Sequence, residues 1–179
     1  MKKLQLLFLG LEGVGKTSLY LYMLGYYFVD MYDKTSSLIT DTKNVMYKNE
    51  LYRCTLMDTP GEKKLGYLYR KYYDSTDIFL LVCDVSNVNS LLYVKKMAEE
   101  LVDRGGIYII FNKYSSYDNT NDDVLFDIKS NILDRYGVGF RYVDLKTDYN
   151  TDGMMEDVLC EMLKGSKGRS CDCFDCSVS

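Results

Sequence analysis

The stretch Gly10-Leu11-Glu12-Gly13-Val14-Gly15-Lys16-Thr17 limits what this chain can become more than any other. The apolar run Leu4-Gln5-Leu6-Leu7-Phe8-Leu9 precedes it, and Ser18-Leu19-Tyr20-Leu21-Tyr22-Met23-Leu24, which suits a helix, follows it. Strand, G-x-x-x-x-G-K-T and helix in that order make a phosphate-binding loop. Its glycines let successive backbone N–H groups curl around phosphate oxygens where a Cβ would obstruct. The helix N-terminus adds partial positive charge, Lys16 adds a full one, and the Thr17 hydroxyl suits a Mg²⁺ ion. The candidate contacts are therefore Glu12, Gly13, Val14, Gly15, Lys16, Thr17 and Ser18.

Several function classes drop out on composition. The chain has no histidine, so a His general base, a Ser-His-Asp triad and a His-ligated metal are all excluded. A net charge of −4 gives no overall attraction to nucleic acid, and no nucleic-acid partner is expected. Its 179 residues suit one domain. No run of about 18 apolar residues is present to span a membrane. Met1 to Leu11 has the lysines and apolar run of a signal peptide, but the phosphate loop starts inside it, so it is not read as one. Lys2 stands where N-myristoylation needs glycine. Cys54, Cys83 and Cys160 lie in apolar segments and are expected in the core, while Cys171, Cys173 and Cys176 crowd the end. This distribution suits a reduced, cytosolic protein.

Hydrophobic patterning predicts strands at residues 3–9, 78–83, 107–111 and 139–145, and a hairpin of 42–47 and 51–57 turning at Lys48-Asn49-Glu50. Helices are expected at 15–27, near 65–73, through Leu91, Val94, Ala98, Leu101 and Val102, through Val124, Leu125, Ile128 and Ile132, and through Met154 to Leu163. Residues 30–37 and 114–123 read as loops. Strands alternating with helices, with one early hairpin, define an α/β fold. The expectation is a six-stranded, mostly parallel sheet with one antiparallel edge strand and helices on both faces. Ligands on such sheets bind at the carboxyl ends of the strands. Residues 1–164 form the expected domain and 165–179 a flexible tail.

Three further motifs close strands at that same edge. They are Asp58-Thr59-Pro60-Gly61, Asn112-Lys113 and Asp144-Leu145-Lys146. A carboxylate at a strand end can hold Mg²⁺ through its water shell, and a glycine N–H can approach a terminal phosphate. With the phosphate loop and the run Phe28-Val29-Asp30-Met31-Tyr32-Asp33-Lys34-Thr35, these residues resemble the Ras superfamily of small GTPases over residues 3 to about 164. The resemblance implies a P-loop NTPase G domain that binds GTP or GDP with Mg²⁺. It implies that Phe28 lies edge-on to the guanine, that Thr17, Thr35 and Asp58 serve the metal, and that Gly61 senses the γ-phosphate. It further implies that Lys113 and Lys146 stack on base and sugar, and that Asn112 and the Leu145 N–H face the base. Partners would be effectors at the two switch loops, an exchange factor and a GTPase-activating protein. Phe28 to Thr35 is Ras-like and Asp84-Val85-Ser86 is Rab-like, and the sequence does not decide between them.

The departures from the family pattern carry their own expectations. Glu12 stands where the family has a small residue, and its carboxylate would lie near the γ-phosphate and in the path of an arginine finger. Glu62 stands in place of the water-orienting glutamine and lacks its amide donor. Pro60 replaces the usual alanine and fixes φ. Ser115 stands where the base-reading motif has an aspartate, so a bidentate contact to guanine is lost and weaker guanine selectivity is expected; nothing in the sequence requires Asp118, three residues later, to fold back in its place. With Lys16, Gly61 and Glu62 as the catalytic set, slow hydrolysis is expected. The alternative is a hydrolysis-deficient, nucleotide-loaded scaffold. A P-loop kinase is disfavoured because the six arginines do not cluster. Cys176-Ser177-Val178-Ser179 fits a prenylation signal, with Cys171 and Cys173 as palmitoylation candidates, placing the protein on the cytoplasmic face of a membrane.

Overall fold

The computed structural model describes residues 1–27, 35–61, 69–118 and 120–164. Six strands form one sheet: β1 (Lys2–Leu9), β2 (Ile39–Tyr47), β3 (Glu50–Asp58), β4 (Ile78–Asp84), β5 (Gly106–Asn112) and β6 (Gly139–Tyr142). Their spatial order is β2-β3-β1-β4-β5-β6, with β2–β3 antiparallel and every other pair parallel. This is the mixed sheet expected from the alternation of apolar runs. Lys48 and Asn49 both take positive φ, 48° and 62°, which closes the β2–β3 hairpin as a two-residue turn matched to strand twist.

Period-two alternation along β1 divides the core between the two faces of the sheet. Leu6 and Phe8 pack on one face with Leu19 and Tyr20 of helix α1 (Lys16–Leu24) and with Val158 and Leu159 of helix α4 (Met154–Lys164). Leu7 and Leu9 pack on the other with Leu91 and Val94 of α2 (Val88–Leu101) and Ile128 of α3 (Asp122–Ile128). Each such side chain, fully buried, contributes roughly 1.5–3 kcal/mol of transfer free energy. Cys54, Cys83 and Cys160 are buried, as their apolar surroundings predicted.

Several local features differ from the sequence expectation; among them the last strand ends at Tyr142 rather than at residue 145. The first helix stops at Leu24 rather than Tyr27. Gly25 enters the left-handed region at φ 102°, and the N–H groups of Gly25 and Tyr26 return to the carbonyls of Tyr22 and Leu21, closing the helix end. Beyond α3 the chain widens into a π-helical turn over Lys129–Asp134, which brings both Ile132 and Leu133 into the core. The segment read as a loop after β5 contains a 3₁₀ turn, Tyr114–Ser116. Near the expected short helix the described part is a 3₁₀ helix, Arg70–Ser75.

Candidate functional site

Register alone brings the motifs together. Phe8 pairs with Asp58 across β1 and β3, so the phosphate loop leaves β1 beside the residue that ends β3. Leu9 pairs with Leu81, and Asp84 pairs with Asn112, which places the ends of β4 and β5 on the same edge. Thr59 donates to the Phe8 carbonyl at 2.7 Å and pins the chain leaving β3 against β1.

Lys16 is only 6 % exposed, and its Nζ donates to the Leu11 carbonyl at 2.8 Å, so the side chain folds back over its own loop. Burial lowers its pKa to about 8, against the opposing charges of Asp58 and Glu12. A buried ammonium beside a ring of backbone N–H groups is a strong site for an anion. Gly15 precedes it at φ 102°, where its missing side chain also makes room for the Asn112 amide.

Thr17 lies at the centre of a second group. Its hydroxyl donates to Asp58 Oδ2 at 2.7 Å and lies 2.8 Å from the Thr35 hydroxyl. Asp58 is fully buried, and its other oxygen, Oδ1, is buried without a hydrogen-bond partner in the described structure. Burial raises the Asp58 pKa, while Thr17, Lys16 and Thr35 act in the opposite direction. Gly61 rests on the backbone of Leu11 and Glu12 so closely that any Cβ would collide with Glu12 N and Cα. The Glu12 side chain is exposed, and its charge supports the Lys16 ammonium.

A third group joins the loops after β5 and β6. Asn112 is buried and bridges two segments. Its Nδ2 donates to the Val14 carbonyl at 2.9 Å, and its Oδ1 accepts from the Leu145 N–H at 3.1 Å. Asn112 is thus a tie between the phosphate loop and the loop after β6, and the Leu145 N–H is engaged with it. Lys113 adopts φ 62°, and its ammonium pairs with Asp84 at 2.5 Å. Ser115 Oγ donates to Asp144 Oδ2, whereas Asp118 accepts from the Thr120 N–H. Asp144 and Asp84 were not among the candidate site residues. The sequence signal for Asp144 was its place beside Leu145 and Lys146; that for Asp84 was the Rab-like run Asp84-Val85-Ser86 closing a strand.

Phe28, Glu62, Cys171, Cys173 and Cys176 lie outside the described residues. Among the described residues, no helix is long and apolar enough to cross a membrane.

A phosphate loop between β1 and α1, with a buried lysine and a threonine–aspartate pair at the neighbouring strand end, defines a P-loop nucleotide-binding domain. Residues 5–164 match the model of the Ras family, and the chain belongs to that family. It is also similar to the Ras-like protein rasU of Dictyostelium discoideum, 26% identical over 175 residues, which cover 94% of this chain and 78% of that protein. The protein is accordingly a small GTPase, a guanine-nucleotide-binding switch.

Proposed function

We propose that this small GTPase cycles between GTP and GDP with Mg²⁺ and hydrolyses GTP slowly. One observation carries the reading: the hydrogen-bonded group of Thr17, Thr35 and Asp58 beside the buried Lys16. It joins the phosphate loop to the segments on either side of the β2–β3 hairpin. A ligand that pulls on the phosphate loop is therefore felt at both Thr35 and Asp58–Gly61.

The donor set fits Mg²⁺. All three side chains offer oxygen, the preference of a hard cation, and Asp58 Oδ1 is a buried carboxylate oxygen without a partner. Thr17 and Thr35 would hold the ion, with Asp58 acting on its water shell. When bound, Mg²⁺ supplies neutralisation of charge on the phosphate oxygens during phosphoryl transfer. Lys16 and the loop N–H groups bind and orient those oxygens. Gly61 presents backbone rather than side chain toward them.

Slow hydrolysis follows from Glu12 and Glu62. Glu12 brings a negative charge beside Lys16, and Glu62, by the family resemblance, stands in place of a neutral water-orienting glutamine. Single-turnover hydrolysis of bound GTP, with and without Mg²⁺, tests the reading. Slow but measurable turnover is expected, faster in Glu12→Gly and in Glu62→Gln. GTP left unchanged after many hours would instead make the protein a nucleotide-loaded scaffold. A further expected result concerns Gly61. Gly61→Ala must displace the chain from Glu12, and displacements of about 1 Å at a reacting centre cost up to about 10²-fold. Hydrolysis should fall about 10–100-fold while GDP affinity stays close to that of the unaltered protein. Equal hydrolysis in both would show that the contact has no part in the reaction.

Residues 165–179 are proposed as a membrane tether, prenylated at Cys176 and acylated at Cys171 or Cys173. The intact mass of protein isolated from cells tests this, because a farnesyl or palmitoyl group adds a defined increment. Effectors, an exchange factor and an activating protein are proposed to engage the switch segments.

A further inference from the structure

A cavity of about 570 Å³ opens where the end of α1 meets β2 and the loop that enters α4. Sites for small ligands run from about 300 to 1,000 Å³. Among the described residues, none assigned above to phosphate, metal or base lines it.

Its lining has two chemistries. The end of α1 and the residues after it contribute Tyr22, Tyr26 and Tyr27, and β2 contributes Met46. Gly25 ends α1, so Tyr26 and Tyr27 leave the helix instead of packing along it, and the Tyr26 N–H is tied to the Leu21 carbonyl at 3.0 Å. Tyr26 is 63 % exposed, Tyr27 89 % and Met46 62 %. Large apolar side chains left in water around one cavity mark a contact surface rather than a core.

The loop into α4 contributes Asp148, Asp152 and Glu156. Against these carboxylates the lining holds one ammonium, that of Lys43, which donates to the Met23 carbonyl at 2.7 Å and so closes the end of α1. Asp148 accepts the Thr151 hydroxyl at 3.0 Å. Asp152 and Glu156 are exposed, and their carboxylates have no ion-pair or hydrogen-bond partner among the described residues. This excess of negative charge repels an anion and gives a neutral molecule nothing to pair with. A cation on an apolar stem satisfies both parts of the lining. Its charge meets the carboxylates, its stem covers the methionine and the rings, and a tyrosine face attracts a cation as well.

We propose that this cavity binds an organic cation, an ammonium or guanidinium on an apolar stem, with Asp152 and Glu156 taking the charge and Tyr26 and Tyr27 the stem. The site does not depend on which nucleotide the phosphate loop holds.

The test titrates the full chain with two matched pairs of probes and follows backbone amide resonances. The first pair is phenylbutylamine and its neutral analogue phenylbutanol. The second is the blocked dipeptide acetyl-Phe-Arg-amide and its neutral citrulline counterpart. An exposed ion pair or cation–π contact is worth about two- to fivefold in affinity, so each cation should bind about tenfold tighter than its neutral partner. The shifted resonances should belong to residues 25–27, 43–46 and 152–156. The double variant D152N/E156Q should reduce the preference to about twofold or less, and Y27A should weaken all four probes. The control E99Q/D103N removes the same charge at exposed positions in and just after α2, and should leave the preference intact. Tighter binding of the dipeptide than of the amine assigns the site to an arginine of a partner protein, and the reverse assigns it to a free amine. Equal binding of cation and neutral partner overturns the proposal. So does a preference that survives D152N/E156Q, or one that the control removes as well, because the attraction would then belong to the chain's net charge and not to this cavity.

Discussion

Lys16→Met is expected to abolish useful nucleotide binding while leaving the fold as stable as before or more so. The two effects have opposite signs because the ammonium is buried for the ligand's benefit. Its pKa near 8, against an ordinary 10.5, means that the folded chain holds this proton poorly. At about 1.4 kcal/mol per pKa unit the native state bears a cost on the order of 3 kcal/mol. The hydrogen bond to the Leu11 carbonyl and the charges of Asp58 and Glu12 offset part of it, and methionine fills similar space without the charge. A diphosphate brought to the loop supplies the missing counter-charge. Losing that charge pair costs about 3–4 kcal/mol, or roughly 10²–10³-fold in GDP affinity. Calorimetric titration with GDP reads the first effect, and thermal melting of nucleotide-free protein reads the second. The linkage has a defined sign. Between pH 8 and pH 10.5 the unfolded chain binds this proton and the folded chain does not, so the penalty is complete below pH 8 and fades as pH rises. Any stability advantage of K16M should therefore be largest near neutral pH and shrink toward pH 10. A variant that melts well below the unaltered protein at pH 7 would show that Lys16 supports the fold itself.

The phosphate loop, the sheet and the two-faced core were legible in the sequence because each is a local or periodic signal. Gly10 to Thr17 is contiguous. The strands are apolar runs, and the parity of Leu6, Leu7, Phe8 and Leu9 already assigns opposite faces. The ends of elements were harder to read. Gly25 as a helix stop is a turn signal that the apolar run through Tyr27 outweighed in the sequence reading. The widened turn at 129–134 has no sequence marker, because α and π spacing differ by one residue and the same apolar side chains serve both. The site was legible as a set of strand-end motifs, but its pairings were not. Thr17, Thr35 and Asp58 were assigned to one ion by resemblance, whereas their mutual hydrogen bonds come from the Phe8–Asp58 register. Asp144 is the clearest omission. The serine at 115 read as a lost carboxylate, because the carboxylate that contacts it lies 29 positions later and across the β5–β6 pairing.

Asn112→Ala is expected to be the most destabilising single change at the site, and its effect should not require nucleotide. The side chain is 4 % exposed and satisfies one buried carbonyl and one buried N–H, in two segments that no shared strand joins directly. Val14 and Leu145, the residues it bridges, are 1 % and 2 % exposed, so water does not readily replace the lost partner. A stranded buried polar group costs roughly 1–3 kcal/mol, and two are stranded here, which suggests a loss of about 2–4 kcal/mol. For a chain of this length that lowers Tm by about 5–15 °C. Asn112→Asp separates the two bonds. Its carboxylate still accepts from the Leu145 N–H but has nothing to donate to the Val14 carbonyl, and the two oxygens repel. It should therefore destabilise the phosphate loop specifically, with weaker phosphate binding as well as a lower Tm. The measurement is thermal melting of nucleotide-free protein, paired with GDP titration. If Asn112 served only to face a base, N112A would melt with the unaltered protein in the absence of nucleotide. A clear loss of Tm there would instead make the residue a brace that holds the phosphate loop and the loop after β6 at one fixed separation.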